Sequence, residues 1–143
     1  MSHITEATAE VTDLECLKEA AQDLGGKLHE NQKTHKWWGR WVGDAPLPAG
    51  VKEEDLGKCD HAISFPGCEY EVGVVKQAND KYALRYDYYA TGGLERKLGG
   101  KNAELLMQNY GVRKAVKQAH RQRLRTRQVV QSDGSIKVIV EGM

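Results

Sequence analysis

From His61 to Tyr89, three strand-like runs are joined by turns too short for anything but antiparallel neighbours. The runs are His61 to Phe65, Tyr70 to Val75 and Tyr82 to Tyr89, separated by Pro66-Gly67 and Asn79-Asp80. In the last run Tyr82, Leu84, Tyr86 and Tyr88 share one face at period two, while Arg85 and Asp87 share the other. Parallel strands need crossovers of about a dozen residues, so this meander commits the chain to an antiparallel sheet.

The flanking segments add helices. Ser2 to Val11 alternates as a strand with one covered face, Ala7, Ala9 and Val11 opposing Glu6, Thr8 and Glu10. Thr12 and Glu15 have capping-box spacing, Leu14, Leu17, Ala21 and Leu24 recur at helical intervals, and Gly25-Gly26 ends the element. Leu28 to Val42 reads as a second strand, followed by a loop from Gly43 to Asp60. Gly92-Gly93 and Gly99-Gly100 lead into a helix starting near Asn102, with Leu105, Val112, Val116 and Ala119 as its buried stripe. Leu124 to Gln131 and Ile136 to Val140 flank the Asp133-Gly134 turn of a hairpin. The expected fold is α+β: a mainly antiparallel sheet with two helices packed on one face, ending in a C-terminal β-hairpin. Residues 1–143 fit a single domain, long enough to bury a core without disulfides or structural metal.

With Met1-Ser2-His3, the early helix from Asp13 to Gly25, the meander, and Asn109-Tyr110 leading to Asp133-Gly134-Ser135-Ile136-Lys137-Val138, the chain resembles the ycf thirty-five-like family. That family, known from algal chloroplast genomes, cyanobacteria and other bacteria, is catalogued as domain of unknown function twelve fifty-seven. The resemblance covers nearly the whole chain in order and implies a small non-secreted domain; it brings no catalytic residues. Trp37-Trp38-Gly39-Arg40-Trp41 and the length of the Gly43 to Asp60 loop depart from the family pattern.

Charge is the sharpest functional signal. Between Leu105 and Ser132 stand Arg113, Lys114, Lys117, Arg121, Arg123, Arg125 and Arg127 with no Asp or Glu, although the net charge is only +1. Setting these seven aside from 21 basic residues leaves 14 against 20 acidic ones, a formal −6, so the chain is electrically polarised. Tyr110, Lys114, Lys117 and Arg121 form a helical stripe expected to lie outside the buried face. Arg123, Arg125 and Arg127 alternate along a strand and are expected on one side of it. Together they predict a cationic helix-to-strand corner; the competing reading is a solvated helix beside an arginine-guarded strand edge.

Other constellations are less specific. His35-Lys36-Trp37-Trp38-Gly39-Arg40-Trp41 interleaves rings and cations, as single-stranded nucleic-acid grooves do, though tryptophans equally anchor cores. In an extended chain Trp37 and Trp41 share one face and Trp38 takes the other, so at least one tryptophan is expected to be exposed if only one face is covered; the competing reading packs Trp38 under the loop. Cys59, His61 and Cys68, with His29 or His35, offer zinc-binding atoms at a spacing that matches no zinc motif, and buried cysteines explain them as well. No GxSxG, P-loop, HExxH or GxGxxG in proper context is present, so neither catalytic residues nor a cofactor is assigned. A nucleophilic pairing of Cys68 with His61 or His120 is left to geometry.

Three unpaired cysteines and the absence of a signal-like or membrane-length apolar segment predict a cytoplasmic protein without membrane contact. Two functions are expected. The first is a non-catalytic interaction module that uses Arg113, Lys114, Lys117, Arg121, Arg123, Arg125, Arg127 and Trp38 to bind an acidic protein. The same surface also suits self-association through the acidic segment up to Glu30, where seven acids face two Lys/Arg residues. The alternative is a single-stranded or shape-selective nucleic-acid-binding protein using the same surface and nearby tryptophans.

Overall fold

A computed structural model describes residues 3–7, 10–41, 43, 45–89, 92–122 and 124–142, leaving the side chain of Asn79 aside. Its centre is a five-stranded antiparallel sheet in the order β1, β5, β4, β3, β2. These strands are β1 Ile4–Glu6, β2 Lys27–His29, β3 His61–Ser64, β4 Val72–Lys76 and β5 Tyr82–Asp87. The meander is present as expected, and period two sets its faces. Ile63, Val72, Val74, Leu84 and Tyr86 point into one core, where they meet Leu17, Ala20 and Ala21 of helix α1, Leu14–Asp23, and Leu106 and Tyr110 of helix α3, Glu104–Arg121. A short helix α2, Leu94–Leu98, closes that core with two fully buried leucines. The sequence reading missed α2, whose five residues lie between glycine pairs. Among the described residues no helix is long and apolar enough to cross a membrane.

The first strand is shorter than expected. β1 pairs with β5 through Ile4 opposite Asp87, whereas Val11 bridges Tyr82, so the register moves by two residues between them. Ser2, Thr8 and Ala9 fall outside the described residues. Helix α1 is capped by Asp13, whose Oδ1 accepts from the Cys16 amide at 3.1 Å, and not by Thr12. Its end is as anticipated: Gly25 at φ 82° lets the Gly26 amide reach Ala21 O and the Gly25 amide reach Gln22 O.

The largest departure lies after β2. Asn31 adopts φ 63°, ending the strand that sequence extended to Val42, itself outside the described residues. Described residues of the segment that follows lie instead over the second face of the sheet, His35 against Gly73 and Trp38 bonded to Asp87. Ala62 stands opposite Gly73, and Val75 opposite Ala83, so small residues on that face leave room beside Arg85, the other neighbour of Gly73. His35 presses on this face so closely that a Cβ at Gly73 would lie 2.5 Å from His35 Cδ2. His35 Nδ1 donates to Glu71 O at 3.1 Å, and burial holds the imidazole below its usual range against the raising effect of that bond.

Two further strands, β6 Arg125–Val130 and β7 Ile136–Glu141, form a separate antiparallel hairpin packed against α3. Its turn is closed by Asp133 Oδ1, which accepts from the Ser135 amide at 3.0 Å and from Ser135 Oγ at 2.6 Å, with Gly134 at φ 88°.

Candidate functional site

The two cationic stripes have different fates. On α3 Val112 and Ala119 of the expected stripe are buried, together with Leu106 and Tyr110, while Val116 is half-buried and Leu105 exposed, so the apolar face is partly rotated from the expected one. That rotation turns Tyr110, Arg113 and Lys117 towards α1. Tyr110 is buried, and its hydroxyl accepts from the amides of Thr12 at 2.9 Å and Asp13 at 3.0 Å. Arg113 grips Asp23 through two hydrogen bonds, Nε to Oδ2 at 2.9 Å and Nη2 to Oδ1 at 2.6 Å, and its Nη1 lies 3.5 Å from Glu19. Lys117 Nζ donates to Asp13 at 2.8 Å and Glu15 at 3.1 Å. Lys114 Nζ donates to Thr12 Oγ1 at 2.7 Å and sits 5.8 Å from the centre of the Tyr110 ring.

Of the expected outward stripe, Tyr110 is buried and Lys117 joins Arg113 in an ionic seam between two helices. Its order shows that they run antiparallel: Arg113 takes the acids near the end of α1 and Lys117 those at its start. Arg121, one turn further along α3, has no ion-pair partner among the described residues. Partial burial pushes the Asp13 carboxyl up, but the Lys117 and Cys16 hydrogen bonds outweigh it and hold the group at about 2. The same seam holds the Arg113 and Lys117 cations above their ordinary ranges, through hydrogen bonds to Asp23 and to Asp13 and Glu15.

What stays available is the hairpin and the end of α3. Arg121, Arg125 and Arg127 are exposed, and Arg123 lies outside the described residues. Arg127 Nε is 3.6 Å from Glu141 in a solvated pair, and Arg125, which stands opposite Glu141 in the ladder, forms no ion pair among the described residues. On the other face of the hairpin Val130 and Val140 are exposed by 72% and 49%. Arg121 also lines a groove of about 510 Å³ between α1 and α3, with His120, Glu15 and Glu19.

Trp38 belongs elsewhere. It is 42% exposed, and its amide donates to Asp87 Oδ2 at 3.2 Å. Asp87 alternates with the core residue Tyr86, so it points to the second face, and the sheet separates Trp38 from α3. The other two tryptophans serve the covering segment: Trp41 Nε1 donates to Ala45 O at 3.0 Å, and Trp37 stacks where a Gly57 Cβ would sit.

The cysteine and histidine constellation disperses. Cys59 donates to Gln32 O at 3.2 Å and burial pushes its thiol up to about 11, while His61 Nδ1 accepts from the Asn31 amide at 2.9 Å. Cys68 lies beyond the opposite end of β3 from His61, in a cleft of about 710 Å³ with Leu24, Lys97 and Leu105. Burial raises its thiol against the lowering influence of Lys97, which is unsuited to a thiolate nucleophile. Among the described residues no three potential ligands gather as a metal-binding group.

Sequence reasoning missed the ionic seam. Its signal was the matched spacing of Glu15, Glu19 and Asp23 with Arg113 and Lys117, four residues apart in each helix. Comparison of the chain with protein-family models, curated proteins and solved structures gives no match.

Proposed function

We propose that the protein is a non-catalytic interaction module that binds an acidic protein partner through the cations at the end of α3 and along β6. The observation that carries this reading is the division of the basic run. Arg113 and Lys117 are neutralised within the fold, whereas Arg121 and Arg125 form no ion pair among the described residues and Arg127 has only a solvated one. Arg125 and Arg127 share their face of the hairpin with the half-buried Val129 and Ile139, apolar neighbours that suit a protein surface better than a phosphate backbone. A nucleic-acid groove extending to Trp38 would have to cross the sheet. Head-to-tail self-association through the acidic segment is less favoured, because Asp13, Glu15, Glu19 and Asp23 already pair with α3.

The test is fluorescence anisotropy with a labelled polyglutamate peptide, a single-stranded oligonucleotide and a duplex, each at low and moderate salt. Peptide binding that falls with salt and is lost in R125E/R127E is expected. Tighter oligonucleotide binding with a steep salt slope would replace this reading with the nucleic-acid one. Binding of neither probe at low salt would overturn both.

A further inference from the structure

The hairpin is the least covered part of the fold: none of its twelve strand residues is buried, and neither outer edge has a strand partner among the described residues. Isolated two-stranded ribbons are marginal, and an unpaired edge is a template for another strand. The two edges differ in sequence. β6 carries Arg125 and Arg127, and two-fold pairing about Thr126 or Arg127 would set arginine opposite arginine. β7 reads Ile136-Lys137-Val138-Ile139-Val140-Glu141, with one cation and one anion placed symmetrically about Ile139.

We infer that β7 is a homodimerisation edge, pairing antiparallel with β7 of a second copy about a two-fold axis at Ile139. The ladder within the hairpin decides which registers are open. Gln131 donates to Ser135 O at 2.7 Å, and these residues continue the β6–β7 register, so the odd-numbered residues of β7 turn their backbone groups towards β6. The even-numbered Ile136, Val138 and Val140 turn theirs outward. A second β7 centred on Ile139 places Val138 opposite Val140 of the second copy, joining outward groups to outward groups.

The same register matches every side chain. Lys137 stands opposite Glu141 of the second copy, twice by symmetry, on one face with Ile139 opposite itself. Val138 and Val140 extend the apolar row of the other face. Moving the centre to Val138 sets Lys137 against Ile139, and moving it to Val140 sets Glu141 against Ile139, so only the Ile139 centre sets the two charges opposite each other, with Glu141 shared between Lys137 of the second copy and Arg127 of its own hairpin. The product is a four-stranded antiparallel sheet with β6 at each rim. The interface is isologous and closed, so it stops at two copies. It uses the edge opposite the arginines and does not rest on the acidic-partner reading.

Sedimentation equilibrium across a concentration series is the primary test. The native chain should approach twice its 16.0 kDa at high concentration. K137E should weaken association by roughly tenfold or more, and K137E/E141K should recover part of it, because the pairs between copies are reversed while the contact of Glu141 with Arg127 in its own hairpin is lost. V138P, which removes an outward amide without touching the internal ladder, should abolish it. Circular dichroism of each variant separates loss of association from loss of fold. In the register proposed, Ile139 faces its own copy at a non-hydrogen-bonded pair, within disulfide reach. I139C in a C68S background should therefore cross-link to a dimer on mild oxidation. A single-chain mass at every concentration overturns the inference. So does a dimer that K137E leaves intact, or one in which I139C fails to cross-link.

Discussion

Arg113 and Asp23 are joined by two parallel hydrogen bonds across 90 residues of sequence, tying the third helix to the end of the first. The pair is partly solvated, yet its fork geometry is the kind that retains measurable coupling. A double-mutant cycle on R113A and D23A should return about 0.5 to 1 kcal/mol of coupling by urea denaturation. R113K should recover only part of it, since a lysine cannot form both bonds. A coupling of zero would mean that apolar packing alone holds the helices together.

The Asp13–Lys117 contact should appear as a pH dependence. Asp13 sits at about 2 in the folded chain against an ordinary 3.8, so the folded state binds fewer protons between those values. Its contribution is fully present above about pH 4 and is lost as the pH falls towards 2. D13N should flatten the stability profile within that window, and K117M should shrink the same step. An unchanged acid limb in D13N would place the acid sensitivity elsewhere.

The meander, the hairpin and the end of α1 were legible because their causes are local: period-two faces, Asp133-Gly134, and Gly25-Gly26 after an apolar helical repeat. The segment after β2 was not. Its β-branched and aromatic residues read as a strand, but one left-handed residue, Asn31, redirects it across a floor that includes Ala62, Gly73 and Ala83, residues far off in sequence. The site was half legible for the same reason. Composition exposed the basic run, while which cations remained available depended on acids about 100 positions away meeting them across a helix pair.

Gly73 gives that covering segment a sharp test. A methyl group there would overlap His35, which is buried and tied to Glu71 O, so G73A should cost about 1 to 3 kcal/mol. H35A alone should also destabilise, by leaving a void. The double variant should be less damaging than the sum of the two, since the alanine methyl then occupies space the imidazole vacated. Strict additivity in urea melts would show that the clash is relieved by movement elsewhere.

Asp87 should anchor Trp38. Its side chain is fully buried and accepts three amides, from His3 at 3.0 Å, Trp38 at 3.2 Å and Tyr89 at 3.1 Å. An asparagine keeps the shape but removes the charge and turns a donor towards amides that already donate, so D87N should destabilise by about 2 kcal/mol or more. The loss should fall first on the segment over the second face, because Trp38 is held there by this bond while its ring is half in solvent. Tryptophan emission of D87N should therefore shift to the red under native conditions, before global unfolding. The ionic seam between α1 and α3 lies across the sheet, so the R113A–D23A coupling should be unchanged in the D87N background. A change in that coupling would show that the two faces of the sheet yield together.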